Sequence, residues 1–368
     1  MTVNDLTIAG SNGGQNTLLL NYVGTNVPLR TLNDLNIREG GTMVNLHSGL
    51  IVGELGQGTL RVFGGQIFQD GGFTEVRSPA LLGGNCSITN GRFSAGYVEF
   101  SGLFNQYQAA VTIAELRMSG GVYNLYGGDL SVDRLEVGTY GNGVSFIQQG
   151  GRNHTFFLDV GQQNIHSSMT ASYSLNGGLL STSDVFLGSA GTFIQNAGVH
   201  TITNGLEISG EAIGHGYPQI LTPARYLLTN GILSARSIVL HGISGTTEFA
   251  QEGGTTIISE SLQFGTDTGY RVGTFSLDGG ILTCSNVVSS GSVVDIFQNG
   301  GSFITTNLFS FAGYGGQVDY YSIHIPPRYA QYHFTGGTLM ASNIELAAET
   351  IIGSSTNTGR ITNPGYFK

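Results

Sequence analysis

The stretch YSLNGGLLSTSDVFLGSAGTFIQNAG, residues 173–198, holds both halves of the repeat on which the chain is built. Its first half, YSLNGGLLS, returns as YNLYGGDLS (123–131), YLLTNGILS (226–234), FSLDGGILT (275–283) and YHFTGGTLM (332–340). Its second half, FIQNAG, returns as FIQQGG (146–151), FAQEGG (249–254) and IFQNGG (296–301), with IFQDGG (67–72) as an earlier copy. The two classes alternate. The second residue of each pair falls at 128, 151, 178, 198, 231, 254, 280, 301 and 337, so steps of 20 to 36 residues separate copies whose internal lettering is constant. A variable period with constant lettering describes a solenoid whose corners accept insertions.

Apolar residues alternate within each copy. Phe275 and Leu277 share one face, and Leu282 opens the next segment beyond the glycine pair. That is the period of a strand, whereas helical and leucine-rich repeats need apolar spacings of three and four. Short strands bounded by Gly, Asn and Ser, without hairpin turns, predict a right-handed parallel β-helix of about 12–15 coils. Composition agrees. Gly is 59 of 368 residues with only 7 Pro, hydrophobic residues make up 40% and charged residues 10%. Collagen needs a three-residue period and abundant Pro, and a disordered chain lacks this apolar content.

Stacked coils turn repeat positions into columns. Tyr123, Phe146, Tyr173, Phe193, Tyr226, Phe249, Phe275, Ile296 and Tyr332 form one, read as an interior aromatic stack. Two residues later Leu alternates with Gln: Leu125, Gln148, Leu175, Gln195, Leu228, Gln251, Leu277, Gln298. A Gln on the same face as the aromatics has to satisfy its amide, and turn backbone is the expected partner. Gln149, Asn176, Asn196, Glu252, Asp278 and Asn299 precede the glycines and read as turn positions with stacked side chains, as does Asp70.

The long steps all follow Gln-class copies, so the added residues gather at one corner: roughly 162–172, 211–225, 266–273 and 312–330, with 101–114 expected to join them. Insertions at one phase of a repeat mark one face. The partner-binding candidates there are His215, Tyr217, Arg225, Tyr270, Arg271, Tyr314, Tyr320, Tyr321, His324 and Arg328, because Tyr and Arg favour interfaces. The domain reading is an N-terminal capping or docking segment at 1–60, the β-helix at 61–346 and a C-terminal strand or tail at 347–368.

Chemistry-bearing motifs are sparse. GNGVSF and GYGGQV lack the helix and Lys of a phosphate cradle, and the eight His show no metal-ligand spacing. No nucleophile elbow occurs. Asp129, Asp133, Arg134 and Glu136, with Arg152 and Asp159 one coil on, read as a solvated face rather than a catalytic cluster. No cofactor and no catalytic residue is expected. A net charge of −10 disfavours nucleic acid, and no apolar run is long enough to insert in a membrane as a helix. MTVNDLTIAG lacks the n- and h-regions of a signal peptide. Cys86 and Cys284, about eight coils apart, are too distant for a disulfide and read as buried thiols.

The pattern in YSLNGGLLSTSDVFLGSAGTFIQNAG and FSLDGGILTCSNVVSSGSVVDIFQNGG (275–301) resembles the glycine-rich β-strand repeats of bacterial secreted proteins, in autotransporter-like passenger domains and exosortase-sorted surface proteins. The resemblance covers about 120–346. It implies an extracellular or cell-surface location and a structural or adhesive role, and brings no catalytic residues. A self-assembling fibre subunit, with other copies of the chain as partners, is the leading expectation. Binding or degradation of a surface glycan is the alternative.

Overall fold

The computed structural model describes residues 1–11, 13–138, 143–161, 170–210, 223–241, 247–265, 273–290, 294–312, 330–346, 351–354 and 360–362. Among them every regular element is a strand, and the strands pair in parallel as a β-solenoid of about 11 turns. Two compact units divide the chain. One comprises 1–158 and 169–181, the other 159–168 and 182–368.

In the first unit, register runs from Thr2 to Arg30, Ile51, Glu75, Ser94, Thr112 and Ser131. In the second it runs from Ile202 to Ala235, Ile258, Cys284, Thr305 and Ala341. A full turn therefore takes 18 residues between Ser94 and Thr112 and 36 between Thr305 and Ala341, with the same neighbours in contact at each rung. The rungs reach back to Thr2, and residue 60 marks no break because it opens the strand Leu60–Val76.

From Leu103 onward each turn has a short strand and a longer one. Ala171–Leu175 is buried at Ala171, Tyr173 and Leu175 and half-covered between. After the glycine pair, longer strands such as Asp129–Val137 bury alternate residues up to Val132. They then expose two in a row, Asp133 and Arg134, and resume the alternation at Leu135. Two consecutive outward residues mark a bend, so one long strand supplies two walls of the coil.

The second glycine of the pair makes the turn. Gly178 has φ +78°, and a Cβ built on it would lie 2.4 Å from the carbonyl oxygen of Gly151, its counterpart one rung earlier. Both the left-handed backbone and the close approach exclude a side chain. The residue before the pair is not left-handed, since the one non-glycine with positive φ among the described residues is Ala190. Its side chain joins a ladder instead: Asn90 Nδ2 donates to Asp70 at 2.6 Å and Asn299 Nδ2 to Asp278 at 2.7 Å.

The aromatic column is the core. In the first unit Phe104, Tyr123, Phe146 and Tyr173 stack at 4.6, 4.8 and 4.7 Å, near-parallel and fully buried. In the second, Phe193, Tyr226, Phe249 and Phe275 stack at 4.7, 5.3 and 5.5 Å. Parallel in-register pairing places identical positions one strand spacing apart, about 4.8 Å, which is also the distance for ring stacking. Cys86 and Cys284 are buried free thiols. Burial raises both pKa values, that of Cys284 to about 12.

Candidate functional site

The buried glutamines make a recurring set of interior hydrogen bonds. Gln106 Nε2 donates to the carbonyls of Ala109 and Asp129, each at 2.9 Å, joining its own turn to the next rung. Gln195 does the same with Gly198 at 3.3 Å and Ile232 at 2.9 Å, and Gln251 with Gly254 at 3.3 Å and Ile281 at 3.1 Å. Turn backbone is thus the partner that the alternation of Leu and Gln called for.

The acceptor oxygen of each Gln has a second rule. Where the next rung carries a Tyr in the aromatic column, that hydroxyl donates to it: Tyr123 to Gln106, Tyr173 to Gln148 and Tyr226 to Gln195, each at 2.7 Å, and Tyr332 to Gln298. Where the next rung offers no hydroxyl, a Thr five residues after the Gln donates instead. Thr256 serves Gln251 at 2.9 Å below Phe275, and Thr74 serves Gln69 at 2.8 Å below Cys86. At the same five-residue offset from Gln195 stands His200. It lies between Thr182 Oγ1 at 3.3 Å and Tyr226 Oη at 3.1 Å and stacks on Phe193. Burial lowers its pKa from 6.5 to about 3, so the ring is neutral.

Of the interface candidates, Arg225 is placed by the structure. His215, Tyr217, Tyr270, Arg271, Tyr314, Tyr320, Tyr321, His324 and Arg328 lie outside the described residues. Arg225 points outward from the strand Ala224–Leu228 and pairs with Glu248 one rung on, Nε to carboxylate 3.1 Å. Two rungs beyond Glu248, Asp295 faces His333 at 4.0 Å, and His333 stacks on Phe297 at 4.6 Å. Desolvation raises the pKa of Asp295, against the pull of His333. Segment 101–114 is not an insertion: Leu103–Gln106 and Ala110–Met118 pair in unbroken register on both sides. An 18- or 19-residue turn leaves no surplus chain to project.

A concave polar groove lies in the first unit, at the bend of the long strands. It is a shallow, open concavity of about 500 Å³, lined by Glu75 and Arg77, by the column Ser94, Thr112 and Ser131, and by Gly96, Ala114 and Asp133 at the bend itself. Small residues on two consecutive rungs, Gly96 and Ala114, open the floor. Beside it runs an ion-pair ladder in which Arg117 bonds Glu115 at 2.6 Å and Glu136 at 2.8 Å. Arg134 also meets Glu136, at 2.7 Å, and Arg117 lies over the ring of Tyr97, 5.8 Å from its centroid. Asp133, Arg134 and Glu136 thus form an outward face as the sequence suggested. The groove beside them gave no sequence signal, because a bend is not written in the alternation.

Among the described residues no His, Cys, Asp and Glu gather in a set of three or more that could hold a metal, and no helix is long and apolar enough to cross a membrane. No family model, no curated protein and no solved structure matches this chain.

Proposed function

We propose that the chain is a structural β-solenoid module of an extracellular or cell-surface setting, which assembles by adding rungs end to end with other copies of itself. The first rung carries this reading. Thr2–Val3, Leu6–Ile8 and Asn16–Leu20 each pair along one edge, with Arg30–Thr31, Leu35–Ile37 and Gly41–Asn45. Among the described residues nothing pairs with the other edge. The coil interior opens there as an apolar mouth of about 540 Å³ lined by Met1, Val3, Leu6, Leu18, Leu20 and Leu29. Unpaired strand edges around exposed core residues are a template for a further rung, supplied by another copy or by chain that precedes this segment. The glycine-rich repeat resemblance supports the surface setting, and interior glutamines and tyrosines committed to bonds within and between turns support a structural role.

Electron microscopy and sedimentation of the purified chain over a range of concentrations test this. End-on assemblies that dissociate on Leu18→Asp are expected. Isolated particles at every concentration would refute assembly.

A further inference from the structure

The polar groove at the strand bend fits a ligand. Its direction is set by the stacking: Glu75, Ser94, Thr112 and Ser131 occupy one register position on four consecutive rungs. At about 4.8 Å per rung it runs for about 14 Å. One wall is a file of hydroxyls and the floor is Gly96 and Ala114, with Asp133 closing the bend on the fourth rung. The next strand, Arg152–Val160, pairs with Asp129–Val137 and repeats its burial pattern, two consecutive outward residues at the fifth and sixth places. Where the earlier strand has Asp133 and Arg134, it has Phe156 and Phe157. These rings are 49% and 42% exposed and pack edge-to-face at 4.6 Å. This exposed Phe pair stands one rung beyond Ser131 and Asp133, where the lining of the groove ends.

The charges select among ligands. Arg77 is bound to Glu75 at 2.6 Å, and Arg117 and Arg134 are bound to Glu115 and Glu136. The cations are therefore neutralised locally, while Asp133 adds a carboxylate, so an anionic ligand gains nothing here. A peptide strand would need an open backbone edge, and the rungs of the groove are paired on both sides. What remains is a ligand with hydroxyls on its rim, an apolar face for Phe156 and Phe157, and no charge. Hydroxyls and a carboxylate convergent in a concavity next to aromatic rings supply both kinds of contact.

We propose that this groove binds a neutral oligosaccharide, laid along the stacking direction from Glu75 to Phe157. Ser94, Thr112, Ser131 and Asp133 bond its hydroxyls, and the Phe pair covers a ring face at one end.

The test uses the full chain and defined hexasaccharides of β-1,4-glucose, β-1,3-glucose, α-1,4-glucose and β-1,4-mannose, with hexagalacturonate as the acidic comparison, in titration calorimetry. A plug variant tests the place. Nothing lies within 4 Å of a Cβ at Gly96, so Gly96→Gln fills the floor without disturbing the stack. Binding of at least one neutral hexasaccharide is expected, weakened about tenfold or more by Gly96→Gln and by Phe157→Ala. Ile257→Gln, on an outward position of the second unit, should leave it unchanged. No binding of any neutral probe at millimolar concentration overturns the proposal, as does preference for the acidic probe or equal binding by the plug variant. Gly96→Gln leaves end-on assembly untouched, so failure here is separate from failure of the structural reading.

Discussion

Removing one hydroxyl from the core tests whether the glutamine rule is physical. In Tyr123→Phe the ring keeps its stack between Phe104 and Phe146, but Gln106 Oε1 loses its donor at 2.7 Å. Gln106 is fully buried, so no water replaces it. A buried acceptor without a partner costs about 1–3 kcal/mol. The rule also names the repair. Gln251 and Gln69 manage without a Tyr through Thr256 and Thr74, five residues on, and the residue five beyond Gln106 is Val111, also buried. Thr matches Val in shape, so Tyr123→Phe with Val111→Thr should restore most of the loss. A solenoid need not unfold in one step. The assay is therefore local: native-state hydrogen exchange of peptides spanning Leu103–Gln106 and Val122–Leu125. Tyr123→Phe should speed exchange there about tenfold for each 1.4 kcal/mol lost, and the double variant should slow it again. If the double variant exchanges as fast as Tyr123→Phe alone, or if Tyr123→Phe exchanges like the wild type, the rule is wrong.

Three further expectations follow from the same core. Unfolded His200 titrates near 6.5 and folded His200 near 3, so the unfolded state binds more protons between those values and stability falls as pH drops through that window. The loss is about 2 kcal/mol at pH 5. His200→Gln should flatten that part of the pH profile of thermal unfolding, and a ring that titrates near pH 6 by NMR would contradict this. Gly178→Ala should destabilise by about 2 kcal/mol or more, from the left-handed backbone and the approach to Gly151, whereas Gly96→Ala should be neutral or stabilising by about 0.5 kcal/mol. Equal melting shifts for the two would refute the distinction. Cys86 and Cys284 are buried with raised pKa values. They should react with a thiol reagent only as fast as the protein opens, and rapid labelling of the native chain would argue against their placement.

Much of this fold was legible in the residues. Alternation in FSLDGGILT gave strands, and the shared lettering of consecutive copies gave their parallel register, because stacking like on like keeps the inward residues of each strand inside. The aromatic column and the Gln bonds to turn backbone followed from that register alone. The Tyr-to-Gln bond was less visible, since it joins residues 17 apart at Gln106 and 31 apart at Gln195. Reading 101–114 as an insertion failed for a related reason. The short turns there lack the glycine pairs by which rungs were counted, so ordinary strands passed for surplus chain.

The sequence by itself determined what lies inside: periods of two and glycine punctuation are local, and each residue needs only its neighbours to declare its face. What lies on the outside, and which residues meet there, was decided by tertiary structure. Ser94, Thr112, Ser131 and Asp133 share a groove because a bend recurs at the same place on successive rungs. The bend comes from two outward residues in succession, the small size of Gly96 and Ala114 leaves room beside it, and a concavity belongs to several turns at once rather than to any one of them.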